Sequence, residues 1–232
     1  MIAYCAVDLV DGRSAQRDGD AVLPSASTIK LLVSTALWRA VDAGTLDEGR
    51  RFAAASAAPI GGLLEALDPA TELTATDLDL LMLSVSDNAA TNLLVELVGF
   101  DAVNAEAARL GLTATRLRRL MGDQHAIAAG RENTTSAADK AAVAAALWRE
   151  RHARTLASLA RSQHTDIIPR YLPAGCTVHC KQGELEGRVR HDVAVIDGGG
   201  HTVAMALLSS PPAAADALAR IASGLYADVL SP

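Results

Sequence analysis

What this chain of 232 residues does not contain excludes several classes of protein. It has only three cysteines, Cys5, Cys176 and Cys180, an odd number with no Cys-x-x-Cys pair, so neither a disulfide framework nor a zinc ribbon is expected. They read as buried thiols. The six histidines fall into no ligand spacing such as His-Glu-x-x-His, and no metal or other cofactor is implied. No apolar run approaches the length of about 20 residues that crosses a bilayer, and the N-terminus lacks the charged and apolar pattern of a signal peptide. Met1 to Val7 reads directly as a first strand, which leads to the expectation of a soluble, cytoplasmic chain with no membrane partner, or a periplasmic or secreted one if a leader has been trimmed. A net charge of −6 gives no footprint for nucleic acid. Arginine clusters at Arg116, Arg118 and Arg119 and at Arg149 and Arg151 are taken as solvated helix faces.

What the chain does contain is an ample core, with half its residues apolar and 21% charged. The ends look like sheet. Ile2 to Leu9 is apolar and β-branched, Asp11-Gly12 supplies a turn, and Gln16 to Leu23 is expected to return as a second strand. Near the other end, Val193 to Ile196 and Thr202 to Leu208 flank Asp197-Gly198-Gly199-Gly200 as an antiparallel hairpin, with Thr177 to Lys181 as a further strand and Ala213 to Leu230 as a closing helix. Between them lie helical stretches punctuated by glycine: Thr28 to Ala43, Thr76 to Val85, Ala89 to Val98 and Asp101 to Leu110. Another spans Ala137 to about Glu150, with Asn133, Thr134 or Thr135 available as its cap. Gly122 to Asn133 has no period and reads as a long loop.

Ser27-Thr28-Ile29-Lys30 places a hydroxyl and an amine three residues apart at the start of an apolar helix. One helical turn brings them to the same face. A serine hydroxyl needs a base within reach, and a lysine in a low-dielectric pocket loses its proton readily enough to serve. Two further motifs follow in order, Ser86-Asp87-Asn88 and Lys181-Gln182-Gly183. Taken alone, Ser-Asp-Asn is an ordinary helix cap. The ordered set resembles the Ser-x-x-Lys, Ser-Asp-Asn and Lys-Thr-Gly signature of class A β-lactamases and penicillin-binding proteins, with Gln182 in place of the threonine. The resemblance covers essentially the whole chain and extends to Val85 to Leu94 and to Gly130-Arg131-Glu132-Asn133-Thr134-Thr135.

That resemblance implies an α+β fold of the β-lactamase/transpeptidase type: one domain over 1–232, with sheet regions about 1–26 and 174–232 around a helical subdomain of roughly 27–173. It implies Ser27 as the acylated nucleophile, Lys30 as its base, Ser86 as the proton relay to the leaving group and Lys181 as a cation that holds Ser86 and favours an anionic substrate. Asn88 would orient the acyl side chain. The backbone N–H groups of Ser27 and of Glu184, just beyond Gly183, would form the oxyanion hole. Gln182 stands where a residue helps seat a substrate carboxylate. Arg190 falls where some of these enzymes bind that carboxylate, and it reads equally as an edge-strand charge. The substrate class is a small amide, ester or β-lactam.

The chain departs from the pattern where a loop glutamate activates the deacylating water. Thr115 to Leu120 resembles the run leading to it, but the next residue is Met121. Asp123, His125 and Glu132 are the other groups of that loop able to take a proton, and Asp123 and Glu132 read first as turn or cap residues. A weak β-lactamase is therefore expected, with an amide-forming transacylase, a D,D-peptidase or a non-turnover β-lactam sensor as alternatives.

Overall fold

The two ends of the chain meet in one sheet. In the computed structural model, which describes residues 1–231, strands β1 (Ile2–Asp8) and β2 (Ser14–Arg17) form a hairpin. The second strand is shorter than the sequence suggests, because Asp18 turns the chain with φ +49. Leu23–Pro24 is a separate strand, β3.

After a 3₁₀ turn, Ala26–Ile29, helix α1 covers Lys30–Asp42. A ribbon of β4 (Arg51–Ala53) and β5 (Glu72–Thr74) leads into α2 (Ala75–Ser84), whose start is fixed by a reciprocal Thr74–Asp77 capping box. Helices α3 (Asn88–Val98) and α4 (Phe100–Arg109) are separated by Gly99, which takes φ +83. The expected loop carries a short helix, α5 (Gln124–Ala128), capped by Asp123. Strand β6 (Thr134–Thr135) then pairs with β3.

Helix α6 (Ala137–Arg149) is capped by Ser136 rather than by the three residues before it, and α7 (Ala153–Leu159) follows. The chain closes with β7 (Thr177–Leu185), β8 (Val189–Gly198), β9 (His201–Ser209) and α8 (Ala215–Leu230). The five-stranded sheet is antiparallel in the order β2-β1-β9-β8-β7.

Alternation along β9 explains the layering. Val203, Met205 and Leu207 pack with Leu218, Ala222 and Tyr226 of α8 on one face, while Ala204, Ala206 and Leu208 join Ala137, Ala141 and Ala144 of α6 on the other. Small residues on both partners let α6 lie close on the sheet. The same cluster runs on into α1, α2 and α3, so the turn before α1 is wedged between sheet and helices.

Candidate active site

Ser27 sits within the Ala26–Ile29 turn, preceded by Ala26 at φ +45, a left-handed conformation that a side chain rarely adopts. Thr28 ties the turn by donating from its hydroxyl to the Ser25 carbonyl at 2.6 Å. Lys30 opens α1 on the same face. It is fully buried, and its Nζ donates to the Ser86 carbonyl at 2.7 Å, the Asn88 Oδ1 at 2.8 Å and the Ser86 Oγ at 3.2 Å. Burial, and then the nearby charge of Lys181, hold its pKa well below 10.5. Among the described residues, Ser27 Oγ makes no hydrogen bond.

Ser86 also has positive φ, +61, which turns its carbonyl and hydroxyl together toward Lys30. Its neighbour Asp87 does the capping, accepting from the backbone N–H of Ala90 at 2.8 Å and of Leu64 at 2.9 Å. The motif therefore serves both purposes at once: Asp87 caps α3, and the residues on either side face Lys30. Gly62 makes room for this, because a Cβ there would lie 2.5 Å from Asp87 Oδ2.

Strand β7 closes the site from the other side. A Cβ on Gly183 would lie 2.9 Å from the Ser27 nitrogen and 3.0 Å from that of Thr28, so only glycine lets the strand come this near. Ser27, Asn88, Met121 and Glu184 line a cavity of about 90 Å³. A larger cleft of about 700 Å³, bordered by Arg39, Glu150 and Arg154, shares no lining residue with it.

Lys181 is fully buried, and its Nζ donates to the Gln182 carbonyl at 2.8 Å, not to Ser86 as the resemblance implied. Burial lowers its pKa to about 8, and burial raises that of nearby Asp192 to about 7. Two other side chains are already engaged. Gln182 Nε2 donates to Asp166 at 2.7 Å. Arg190 donates to Glu184 Oε1 at 2.7 Å and to the Ala213 carbonyl at 3.0 Å, and it lies on an interior strand, β8, so it is no edge-strand charge.

The loop wall is held by asparagines. Asn92 Oδ1 accepts from the Met121 N–H at 2.8 Å and its amide donates to the Met121 carbonyl at 3.0 Å. Asn133 accepts from the backbone of Arg118 and Arg119 and donates to the Arg119 carbonyl. Arg119 is buried and paired with Glu132, and the run around it is irregular and carries no helix, which corrects its reading as part of a solvated helix face. Glu132 also pairs with Arg188 in the β7–β8 turn, at 2.9 Å. Asp123 accepts from Ala126 N–H, and His125 is exposed. At the other end of the sheet, Asp8, Asp11 and His201 cluster as potential metal ligands, but Asp8 hydrogen bonds His201 and Asp11 is paired with Arg13.

One buried amine escaped the motifs. Lys140 of α6 is fully buried and donates to the Thr28 carbonyl at 3.0 Å, from inside the core.

A family model described as the beta-lactamase enzyme family matches residues 2–229. A beta-lactamase from Sphaerobacter thermophilus DSM 20745 is 34% identical, with a TM-score of 0.88 over 100% of this chain and 93% of that one. PBP-A is 26% identical, with a TM-score of 0.87 over 98% of this chain and 89% of its own. A mutant of PBP-A, with the same identity, coverage and TM-score, has been solved as an acyl-enzyme complex with penicillin G. No curated protein matches the sequence.

Proposed function

The chain belongs to the beta-lactamase enzyme family, a family of serine hydrolases, and from that premise we propose that it transfers the acyl group of a β-lactam or similar amide or ester through acyl-Ser27, with slow release to water. The observation that carries this reading is the set of three acceptors around Lys30. A neutral amine has two N–H groups and one lone pair. The two shorter contacts, to the Ser86 carbonyl and Asn88, take the N–H groups. The lone pair then faces the hydroxyl side of the site, and the longer contact to Ser86 Oγ is the one free to exchange for Ser27.

In the first half-reaction Ser27 Oγ attacks the carbonyl carbon and its proton passes to Lys30. The Ser27 and Glu184 N–H groups receive the oxyanion, an arrangement worth roughly 3–4 kcal/mol per donor. As the C–N bond breaks, Ser86 gives its proton to the leaving nitrogen and is reprotonated by Lys30. A charged Lys181 nearby disfavours a second ammonium and so helps keep Lys30 a base.

Release is the weak step. Met121 offers no proton acceptor, Glu132 is spent on two arginines and Asp123 on a helix cap. Loss of a placed general base removes about 10²–10⁴ in rate. An amine acceptor would relieve that step, which keeps the transacylase reading open. The acyl-enzyme complex of the PBP-A mutant with penicillin G supports penicillin G as the first compound to try.

Intact-mass analysis with penicillin G and an activated ester is the test. One acyl group should accumulate per wild-type chain and none on Ser27→Ala, and an added amine should speed its loss. Equal labelling of the Ser27→Ala protein would end the assignment.

A further inference from the structure

The chain carries three lysines and eighteen arginines, and all three lysines are fully buried. Arginine stays charged at any pH a protein meets, whereas lysine gives up its proton when desolvated. This sequence therefore keeps all of its lysine amines for the interior. Two of them, Lys30 and Lys181, belong to the motifs and lie near enough for the charge of one to act on the other, and the third is Lys140.

Lys140 lies behind the nucleophile turn. Its hydrogen bond to the Thr28 carbonyl holds the turn itself, and two others hold the two residues that lead into it. The Asn133 carbonyl accepts from the Ser25 N–H at 2.8 Å. His191 Nδ1 accepts from the Ser209 N–H, so its Nε2 carries the proton it donates to the Pro24 carbonyl at 2.8 Å. A methionine or leucine would fill the same space in α6 without the desolvation cost of an amine. Packing alone gives no reason for lysine.

We propose that Lys140 is a positioning residue for the nucleophile: through the Thr28 carbonyl its amine fixes the Ala26–Ile29 turn that aims Ser27, and its ionisation changes how readily Ser27 is acylated. Among the described residues its Nζ makes no other hydrogen bond, and burial brings its pKa down to about 7. Two titratable groups act on it. Asp139, the preceding residue, favours the charged form while its carboxylate accepts from Ala114 N–H and the Thr115 hydroxyl. His191, from β8, is itself pushed down by burial and, more weakly, by the Lys140 charge. A cation one residue from Ser27 eases the build-up of negative charge at the oxyanion, so acylation weakens as Lys140 loses its proton.

This inference rests on Ser27 being the nucleophile, and the test separates the two. Selective ¹³C labelling of lysine gives three side-chain signals, and the one missing from Lys140→Met belongs to Lys140. It should titrate near neutrality. Acylation by a neutral fluorophosphonate should show a fall at the same pH in the wild type, a fall absent from Lys140→Met, whose limiting rate drops about 10- to 100-fold with little change in probe affinity. Wild-type rates in Lys140→Met at every pH, or a Lys140 signal that titrates near the ordinary lysine value, would overturn the proposal. Failure of the Ser27 assignment shows differently, as no adduct on wild type or an equal one on Ser27→Ala. Should Lys140→Met not fold, Lys30→Met and Lys181→Met assign the third signal by elimination. Coincidence of its midpoint with the wild-type fall then supports the role, and separation of the two overturns it.

Discussion

The two walls of the cavity beside Ser27 are built from opposite chemistry. On the wall made by α1, β7 and the turn before α3, the amines of Lys30 and Lys181 are buried and desolvated, with Lys30 touching both ends of Ser86-Asp87-Asn88. On the loop wall the buried polar groups are used for holding: Asn92 on Met121, Asn133 on Arg118 and Arg119, and Arg119 on Glu132, which also takes Arg188. What the loop presents to Ser27 is a thioether. On the proposed mechanism, the contrast assigns the two half-reactions to separate parts of the molecule that can be altered independently.

The harshest way to break the acylating wall is Lys30→Met, which should slow acylation at least about 10²-fold with the protein still folded. If Lys30 acts as the neutral base proposed above, the wild-type rate should rise with pH through a midpoint well below 10.5, and that limb should vanish in the variant; stopped-flow labelling reads both. Gly183→Ala comes next. Its methyl group would force β7 away from the turn, and a displacement near 1 Å costs up to about 10²-fold, so a loss of at least about 10-fold in acylation is expected. An unchanged rate would show that the strand has slack.

The loop wall is tested by gain. Met121→Glu should speed release of the penicilloyl group by about 10-fold or more while leaving acylation alone, provided the Asn92 clamp sets the carboxylate near the ester. Rapid penicillin turnover by the wild type without a burst would erase the contrast between the walls and send attention to Glu132, Asp123 and His125. Asn92→Ala strips the Met121 backbone of both partners and should cost roughly 1–3 kcal/mol in denaturant unfolding, with release rather than acylation disturbed.

The smallest effect is one of slope. Lys140 is pulled down to about 7 in the folded chain and returns to about 10.5 when unfolded, so between these values the unfolded state binds the extra proton and wild-type stability rises with pH, by at most about 1.4 kcal/mol per unit. Below pH 7 the penalty is constant. Lys140→Met should be the more stable protein at neutral pH, and its advantage should shrink toward pH 10.5.

Much of this was legible in the sequence, for reasons that differ by region. The β8–β9 hairpin and the long helices declare themselves because period, cap and glycine punctuation agree. Helix α5 has only five residues and depends on the Asp123 cap, and α7 starts without a side-chain cap, so neither carries a local signal strong enough to stand out. In the site, helical spacing pairs Ser27 with Lys30, whereas Ser86 and Lys181 stand out only through the motif order that the family resemblance supplies. The engagement of Gln182 with Asp166 and of Arg190 with Glu184 is found by neither, because each pairing depends on where separate segments meet. Lys140 had a signal of its own: a chain that writes almost every cation as arginine makes each lysine worth asking about.

Glu132 bridges two segments that the chain keeps far apart in order, the end of the loop and the β7–β8 turn, and one of its arginine partners stands half in water. Such a clasp ties the loop to the β7–β8 turn beside the cavity that Arg119, Asn133 and Leu185 help to line. Its exposed half slackens as ionic strength rises, while the buried half, to Arg119, stays tied. Salt thus becomes a dial for entry: bulky acyl compounds should gain access with added salt more than small esters do, with no change in the groups that perform the chemistry.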